Sequence, residues 1–381
     1  MIKRHTLLNL IGKTSKSLLL IGPRQVGKST LVGSFSPELT INLANERELF
    51  QFSTNPGELM DRLERHRPKS VFIDEVQRLP SVLNNVQVIL DQNKAIRFFL
   101  TGSSARKLRR GQANLLPGRV IAVEIGPLTA ADFDYRMDEK KALAIGTLPG
   151  IYTETNSFDQ EQLLTSYAAT YLREEIQAEA LARNLEGFSR LLLVSAAHAI
   201  NFIDYTKFAN EAGINRMTAM RYLEVMEDTL LIHRVYPFAK SGKTRLIQHP
   251  RLFFFDNGVL NALLGGFAVT TDRMGKLFEN LMFSQIFFGA KHAGLPVEIS
   301  TFRTEHGSEV DFVVRLAGTI WAVEAKASKN VGPDDLRGLR SFREFFGKSC
   351  RCAVAYLGSV EKSIDGVVVL PWQSLLREMG L

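Results

Sequence analysis

The sequence predicts an α/β protein, with a parallel sheet covered by helices in the first third of the chain and a second α/β sheet at its C-terminal end. Three observations carry this. Short apolar runs at 18–21, 39–44, 70–73, 96–100 and 120–125 alternate with amphipathic stretches at 56–66 and 82–92, the alternation of a parallel, doubly covered sheet. The first run opens onto Gly22-Pro23-Arg24-Gln25-Val26-Gly27-Lys28-Ser29-Thr30, and the third ends in two carboxylates, Asp74 and Glu75. Beyond Gly275 the pattern reads as a helix (275–288), strands (297–303, 309–315, 319–325), a helix (333–346) and strands (352–357, 367–370).

The segment from Gly22 to Thr30 fits G-x-x-x-x-G-K-[ST] in the strand, loop and helix context that the motif needs. A phosphate chain requires closely approached backbone N–H donors. Gly22 and Gly27 must therefore lack a β-carbon, and the helix that follows must present its positive end. Lys28 is placed to reach the β- and γ-phosphates of ATP, and Ser29 to complete the shell of a Mg²⁺ ion. Asp74 would hold that ion through water, and Glu75 would polarise the attacking water. A chance Gly-rich turn would lack this second element. One strand and helix intervene between the loop and Asp74, so the strand ending at Thr101 is expected between the two. Thr101 and Ser103 would then face the γ-phosphate, although Ser103 or Ser104 as a helix N-cap explains them equally well.

At 381 residues the chain exceeds the usual size of one core. A hydrophobic share of 45% beside 23% charged residues is that of a soluble, folded protein. The net charge of +7 permits a polyanionic partner. Two cysteines, Cys350 and Cys352, are too few for a metal cage or a disulfide framework and favour a reducing compartment, so the cytoplasm is the expected location. No window is apolar for long enough to cross a bilayer. The start, Lys3-Arg4-His5 followed by the apolar run 6–11, has too short a run for a signal peptide and contains Asn9, so it reads as an amphipathic entry helix.

Between 106 and 119 the chain carries Arg106, Lys107, Arg109, Arg110 and Arg119 with no acidic residue. This is where a ring-forming ATPase presents an arginine to a neighbouring subunit's nucleotide. Arg119, which follows Pro117-Gly118 and opens the next strand, is the favoured finger, with Arg106 and Arg109 as alternatives. Surface charge or nucleic-acid contact accounts for each as well; Arg106, Lys107, Arg109 and Arg110 are DNA-binding candidates.

The segments Gly-Pro-Arg-Gln-Val-Gly-Lys-Ser, Ile-Asp-Glu-Val-Gln, Leu-Thr-Gly-Ser-Ser-Ala-Arg and Leu-Pro-Gly-Arg-Val together resemble the prokaryotic AAA-type P-loop ATPases fused to a C-terminal domain of unknown function, DUF4143. The likeness continues through Gly146-Thr147-Leu148-Pro149-Gly150 and Tyr171-Leu172-Arg173-Glu174-Glu175-Ile176 and covers nearly the whole chain. It implies an ATPase core (1–126) and a helical lid (127–200), where Arg173 is a candidate lid sensor, with a surface ion pair as the alternative.

Residues 201–250 have the layout of a winged helix-turn-helix, with a helix at 205–214 ended by Gly213, a second from Asn215, and a strand at 230–235. On that layout Asn215, Arg216, Thr218 and Arg221 would contact DNA, and Lys240, Lys243 and Arg245 its phosphates. Such modules also serve only to pack, and this one carries seven Lys or Arg against five Asp or Glu. The last part, 251–381, resembles the PD-(D/E)XK nucleases, a restriction-endonuclease-like family that includes Holliday-junction resolvases. The resemblance places Asp311, Glu324 and Lys326 at the centre, with Glu279 on the leading helix. Val310 stands where the family name has proline. Alternation along a strand puts Lys326 on the same face as Glu324; an ion pair between Asp311 and Lys326 is the bland alternative.

The reading that joins these parts is a Mg²⁺-dependent ATPase that assembles into a ring, expected to be a hexamer, and acts on DNA, with branched or junction DNA as the substrate suggested by the resolvase likeness. The alternatives are an ATP-regulated DNA endonuclease in defence or repair, and an ATP-dependent switch that binds a protein partner.

Overall fold

The computed structural model describes residues 2–93, 95–103, 118–178, 185–238, 249–304, 307–347 and 349–381, with the backbone alone for 171–178. Lys240, Lys243, Arg245, Arg106, Lys107, Arg109, Arg110 and the Arg173 side chain lie outside the described set. The chain forms two compact units, one built on Arg4–Gly126 and the other on Pro127–Glu227 and Leu231–Leu381.

The first unit is a five-stranded parallel sheet: β1 (Ser17–Ile21), β2 (Leu39–Asn42), β3 (Ser70–Asp74), β4 (Arg97–Gly102) and β5 (Val120–Glu124), in the order β2-β3-β4-β1-β5. β4 lies between β3 and β1, as the spacing of the motifs predicts. The central strands are buried on both faces and read as unbroken apolar runs. Leu19, Ile73, Phe98 and Leu100 meet Val82, Leu83, Val86 and Ile89 of the helix Val82–Gln92 in one core. A helix at Glu46–Thr54, absent from the sequence reading, is capped by the Asn45 side chain and buries Phe52 alone, so its apolar pattern is thin. The entry helix is present as His5–Gly12, with Leu7 and Ile11 buried.

The second unit holds the helices Ser157–Ala178 and Leu185–Ala197, a helix-turn-helix made of Tyr205–Glu211 and Arg216–Asp228, and a two-stranded antiparallel sheet of β6 (Ile232–Val235) and β7 (Arg251–Phe254). Gly213 has φ +63° in the turn between the paired helices, a conformation that favours glycine. β6 and β7, which pair with each other, lie on either side of residue 250. Tyr236 and Phe238 also hydrogen-bond through their backbones to Thr301.

A six-stranded sheet follows: β8 (Val297–Arg303), β9 (Glu309–Leu316), β10 (Thr319–Lys326), β11 (Arg351–Tyr356), β12 (Lys362–Ile364) and β13 (Val367–Pro371), in the order β12-β13-β11-β10-β9-β8. β8, β9 and β10 form an antiparallel meander, and β10, β11 and β13 run parallel.

The helix Thr271–Ala293 is buried along most of its length, and its polar side chains complete backbone groups of neighbouring elements. Asn280 exchanges hydrogen bonds with the backbone N–H and C=O of Phe254, at 2.8 and 3.0 Å. Gln285 accepts from Ala130 N and donates to Leu128 O, at 2.7 and 3.0 Å. Each bond satisfies a buried backbone group that would otherwise be costly, which fixes the register of this helix against two separate segments.

Candidate functional site

The phosphate-loop centre lies at the C-terminal ends of β1, β3 and β4, where open α/β sheets place their ligand sites. The loop needs glycine at two positions for different reasons. A β-carbon on Gly22 would stand 2.0 Å from the Ile125 carbonyl oxygen; Gly27 adopts φ +84°. Lys28 is 5% exposed, and its Nζ donates to the carbonyls of Gly22 and Pro23, both at 2.8 Å. The ammonium is thus held against the loop.

Ser29 Oγ donates to both carboxylate oxygens of Asp74, at 3.0 and 2.8 Å. The Thr101 hydroxyl, at the end of β4, donates to Asp74 Oδ1 and accepts from the Glu75 backbone N–H at 3.2 Å. Glu75 takes φ +59°, a left-handed conformation disfavoured for a side-chain-bearing residue and concentrated at functional sites. Its carboxylate accepts from the amide of Gln77, which also donates to Ser103 Oγ at 2.9 Å. Ser29, Asp74, Thr101, Glu75, Gln77 and Ser103 therefore form one connected set. Ser29 and Asp74 thus bring hard oxygen atoms side by side next to the phosphate loop.

Two members of this region escaped the sequence reading. Gln77 follows the acidic pair by two residues, and a buried glutamine carries no periodic signature. Arg4 precedes the entry helix, looks like any terminal cation, and yet is 6% exposed, with Nη1 donating to Val26 O and Gly126 O at 2.9 Å each. It ties the loop to the end of β5. Arg119 forms a fork with Asp91 of its own chain, Nε to Oδ1 at 2.6 Å and Nη2 to Oδ2 at 2.9 Å, on an exposed surface. That pairing raises the Arg119 pKa.

Of the candidate DNA contacts, Asn215 is committed to capping its own helix, since its Oδ1 accepts from Thr218 N at 2.8 Å. Thr218 is half-buried, while Arg216 and Arg221 are exposed.

The second centre gathers Glu279, Asp311, Glu324 and Lys326. The β9–β10 register pairs Phe312 with Val323, which sets Asp311 opposite Glu324. Asp311 Oδ2 accepts from Ala325 N at 2.9 Å. Lys326 Nζ pairs with Glu324 Oε1 at 2.9 Å rather than with Asp311. Burial pulls the Lys326 pKa down, but Glu324 and Asp311 outweigh it and the pKa is raised. Burial, reinforced by the Asp311 charge, pushes the Glu279 and Glu324 carboxyls up to about 8 each. Glu324 Oε2 is buried with no hydrogen-bond partner.

The residue that sequence reasoning missed here is Arg251, which opens the apolar strand β7 and is 6% exposed. It pairs with Glu279, with Asp311 at 3.4 Å and with Glu309 at 3.5 Å. Its Nε donates to Ile200 O at 2.6 Å. A cation at the head of a Leu-Phe-Phe-Phe run was the available signal. These side chains line a cavity of about 400 Å³ together with Asn201, Phe202 and Arg303. Among the described residues no group of three His, Cys, Asp or Glu is arranged to hold a metal ion. As arranged, the second centre does not fit a divalent ion.

Comparison with known proteins divides the chain in three. Residues 14–134 match an AAA domain, residues 137–270 a domain of unknown function, DUF8612, and residues 274–375 a domain of unknown function, DUF4143. The middle segment thus matches its own model, and DUF4143 starts only at the helix that carries Glu279. An uncharacterised protein of Mycobacterium tuberculosis is 27% identical over 371 residues, covering 94% of this chain and 80% of that one. An uncharacterised protein of Haemophilus influenzae is 20% identical over 386 residues, covering 93% of each. A replication initiator DnaA bound to AMPPCP and single-stranded DNA covers 58% of this chain and 86% of its own at 10% identity, with a TM-score of 0.26. The chain therefore contains an AAA domain, which carries the phosphate-loop centre, and a DUF4143 domain, which carries Glu279, Asp311, Glu324 and Lys326.

Proposed function

We propose that the chain is a Mg²⁺-dependent ATPase that acts on DNA. The observation that carries this is the connected set Ser29, Asp74, Thr101, Glu75, Gln77 and Ser103 beside the phosphate loop. In this reading Ser29 and Asp74 hold the Mg²⁺ of Mg-ATP, which neutralises charge on the phosphates, and Lys28 turns from the loop carbonyls to the phosphate chain. Glu75 orients and polarises water. Thr101 joins Asp74 to the Glu75 backbone, so a change at the first is felt at the second, and Gln77 sets the direction of the Glu75 carboxylate. Arg119 exchanges Asp91 for the nucleotide of an adjoining subunit in a ring. An arginine so placed is worth a rate factor of about 10³–10⁵.

The net charge of +7 and the exposed Arg216 and Arg221 on the second helix of the helix-turn-helix support a nucleic-acid partner, and branched DNA is the form we propose. Steady-state ATP turnover with duplex, single-stranded and four-way DNA tests this. The rate is expected to rise with DNA and to be highest with the four-way form; equal rates with all three and without DNA would overturn the DNA assignment.

The gathering of Glu279, Asp311 and Glu324 around one cavity, with Lys326 paired to Glu324, favours a second reading, a nuclease centre under the control of the ATPase. Arg251, in contact with two of its carboxylates, sets it apart from a centre open to metal.

A further inference from the structure

We propose that Arg251 is the resident cation of the acidic centre: its guanidinium takes the place a divalent metal would need between Glu279 and Asp311, and a metal enters only when Arg251 is withdrawn. The inference deepens the nuclease reading of this centre and is independent of ATP hydrolysis.

Geometry carries it. One guanidinium meets Glu279 with Nη2 and both Asp311 and Glu309 with Nη1, the forked, planar recognition of carboxylates at which arginine excels. It is held from behind as well, by Nε on the Ile200 carbonyl at 2.6 Å and by the rings of Phe253 and Phe202, whose centroids lie 5.5 and 6.0 Å from its central carbon. This is an anchored side chain on a strand, unlike a surface arginine folded over acids. Lys326 supplies the charge for Glu324 Oε1, while Glu324 Oε2 stays buried and unpartnered. Removing the guanidinium would leave oxygens of Glu279, Asp311 and Glu324 facing one space, a donor set for a hard divalent cation.

The partition of the sequence gives the arrangement a regulatory sense. Arg251 belongs to the DUF8612 segment and its carboxylate partners to the DUF4143 segment. The strand β7 that carries it pairs with β6, next to the helix-turn-helix. A partner that shifted this pair of strands would draw the guanidinium out and open the centre.

The test uses Mn²⁺ binding, read by electron paramagnetic resonance, on the nucleotide-free 381-residue chain. Wild type and Asp311→Asn are expected to bind Mn²⁺ alike, because the centre is closed in both. Arg251→Met is expected to gain a site at least about tenfold tighter, equal to about 1.4 kcal/mol, and to lose it in the Arg251→Met/Asp311→Asn double variant. Circular dichroism checks that the variants fold, and Arg251→Gln stands in if the methionine variant does not. Wild-type Mn²⁺ binding that Asp311→Asn abolishes would overturn the proposal, as would a folded Arg251 variant with no gained site.

Discussion

Glu75→Gln is expected to slow ATP hydrolysis by about a thousandfold while leaving nucleotide binding intact. Glutamine keeps the shape of the side chain and removes its basicity, and general-base participation is worth about 10²–10⁴ in rate. The left-handed backbone at Glu75 and the bond from its N–H to Thr101 do not depend on the carboxylate, so the geometry should survive. The Gln77 amide then faces an amide in place of a carboxylate, a smaller change than the loss of the base. Binding of a fluorescent ATP analogue beside phosphate release separates the two effects. Unchanged turnover in a variant that binds ATP would remove Glu75 from the chemistry.

Asp256→Ala is expected to lower the stability of the second unit by about 2–4 kcal/mol, because it removes the N-cap and leaves the buried N–H donors that met the carboxylate without an acceptor. Asp256 is 2% exposed. It caps the helix Asn257–Leu263 through Val259 N at 3.1 Å and reaches Thr147 N at 2.6 Å. Burial pushes its carboxyl up from 3.8 to about 6, against the pull of N–H donors on Thr147, Val259 and Gly258. Because the folded-state pKa is raised, the linked stability is fully present below about 3.8 and is lost as pH rises through about 6. Asp256→Asn cannot titrate. From pH 4.5 to 7.5 the stability difference should move in its favour by about 2 kcal/mol, a figure from the pKa shift. Urea denaturation at the two pH values measures this, and a constant difference would show that Asp256 does not couple folding to protons.

The order of the first sheet was legible because two motifs and the number of elements between them constrain it: one strand and helix after the phosphate loop leave room for β4 only between β1 and β3. The acidic centre was legible through the resemblance to the PD-(D/E)XK nucleases, and strand alternation put Glu324 and Lys326 on one face of β10. What escaped were polar residues turned inward. Arg4, Gln77, Arg251 and Asp256 owe their roles to backbone groups and charges brought near by folding, and no local period marks such residues. The helix Asn257–Leu263 escaped for a related reason. Nearly all of it is buried, including Asn257 and Asn261, so it has no polar face for a period of 3.6 to reveal. Lys326 pairs with Glu324 at 2.9 Å, its neighbour on the same face of the strand, while Arg251 stands 3.4 Å from Asp311.

Nucleotide hydrolysis at the phosphate loop is tested most directly by phosphate release from Mg-ATP by the wild-type chain beside Lys28→Ala. Steady release by wild type and none above background by the variant is the predicted result. Equal release from both, or ATP bound by wild type without any release, would contradict it.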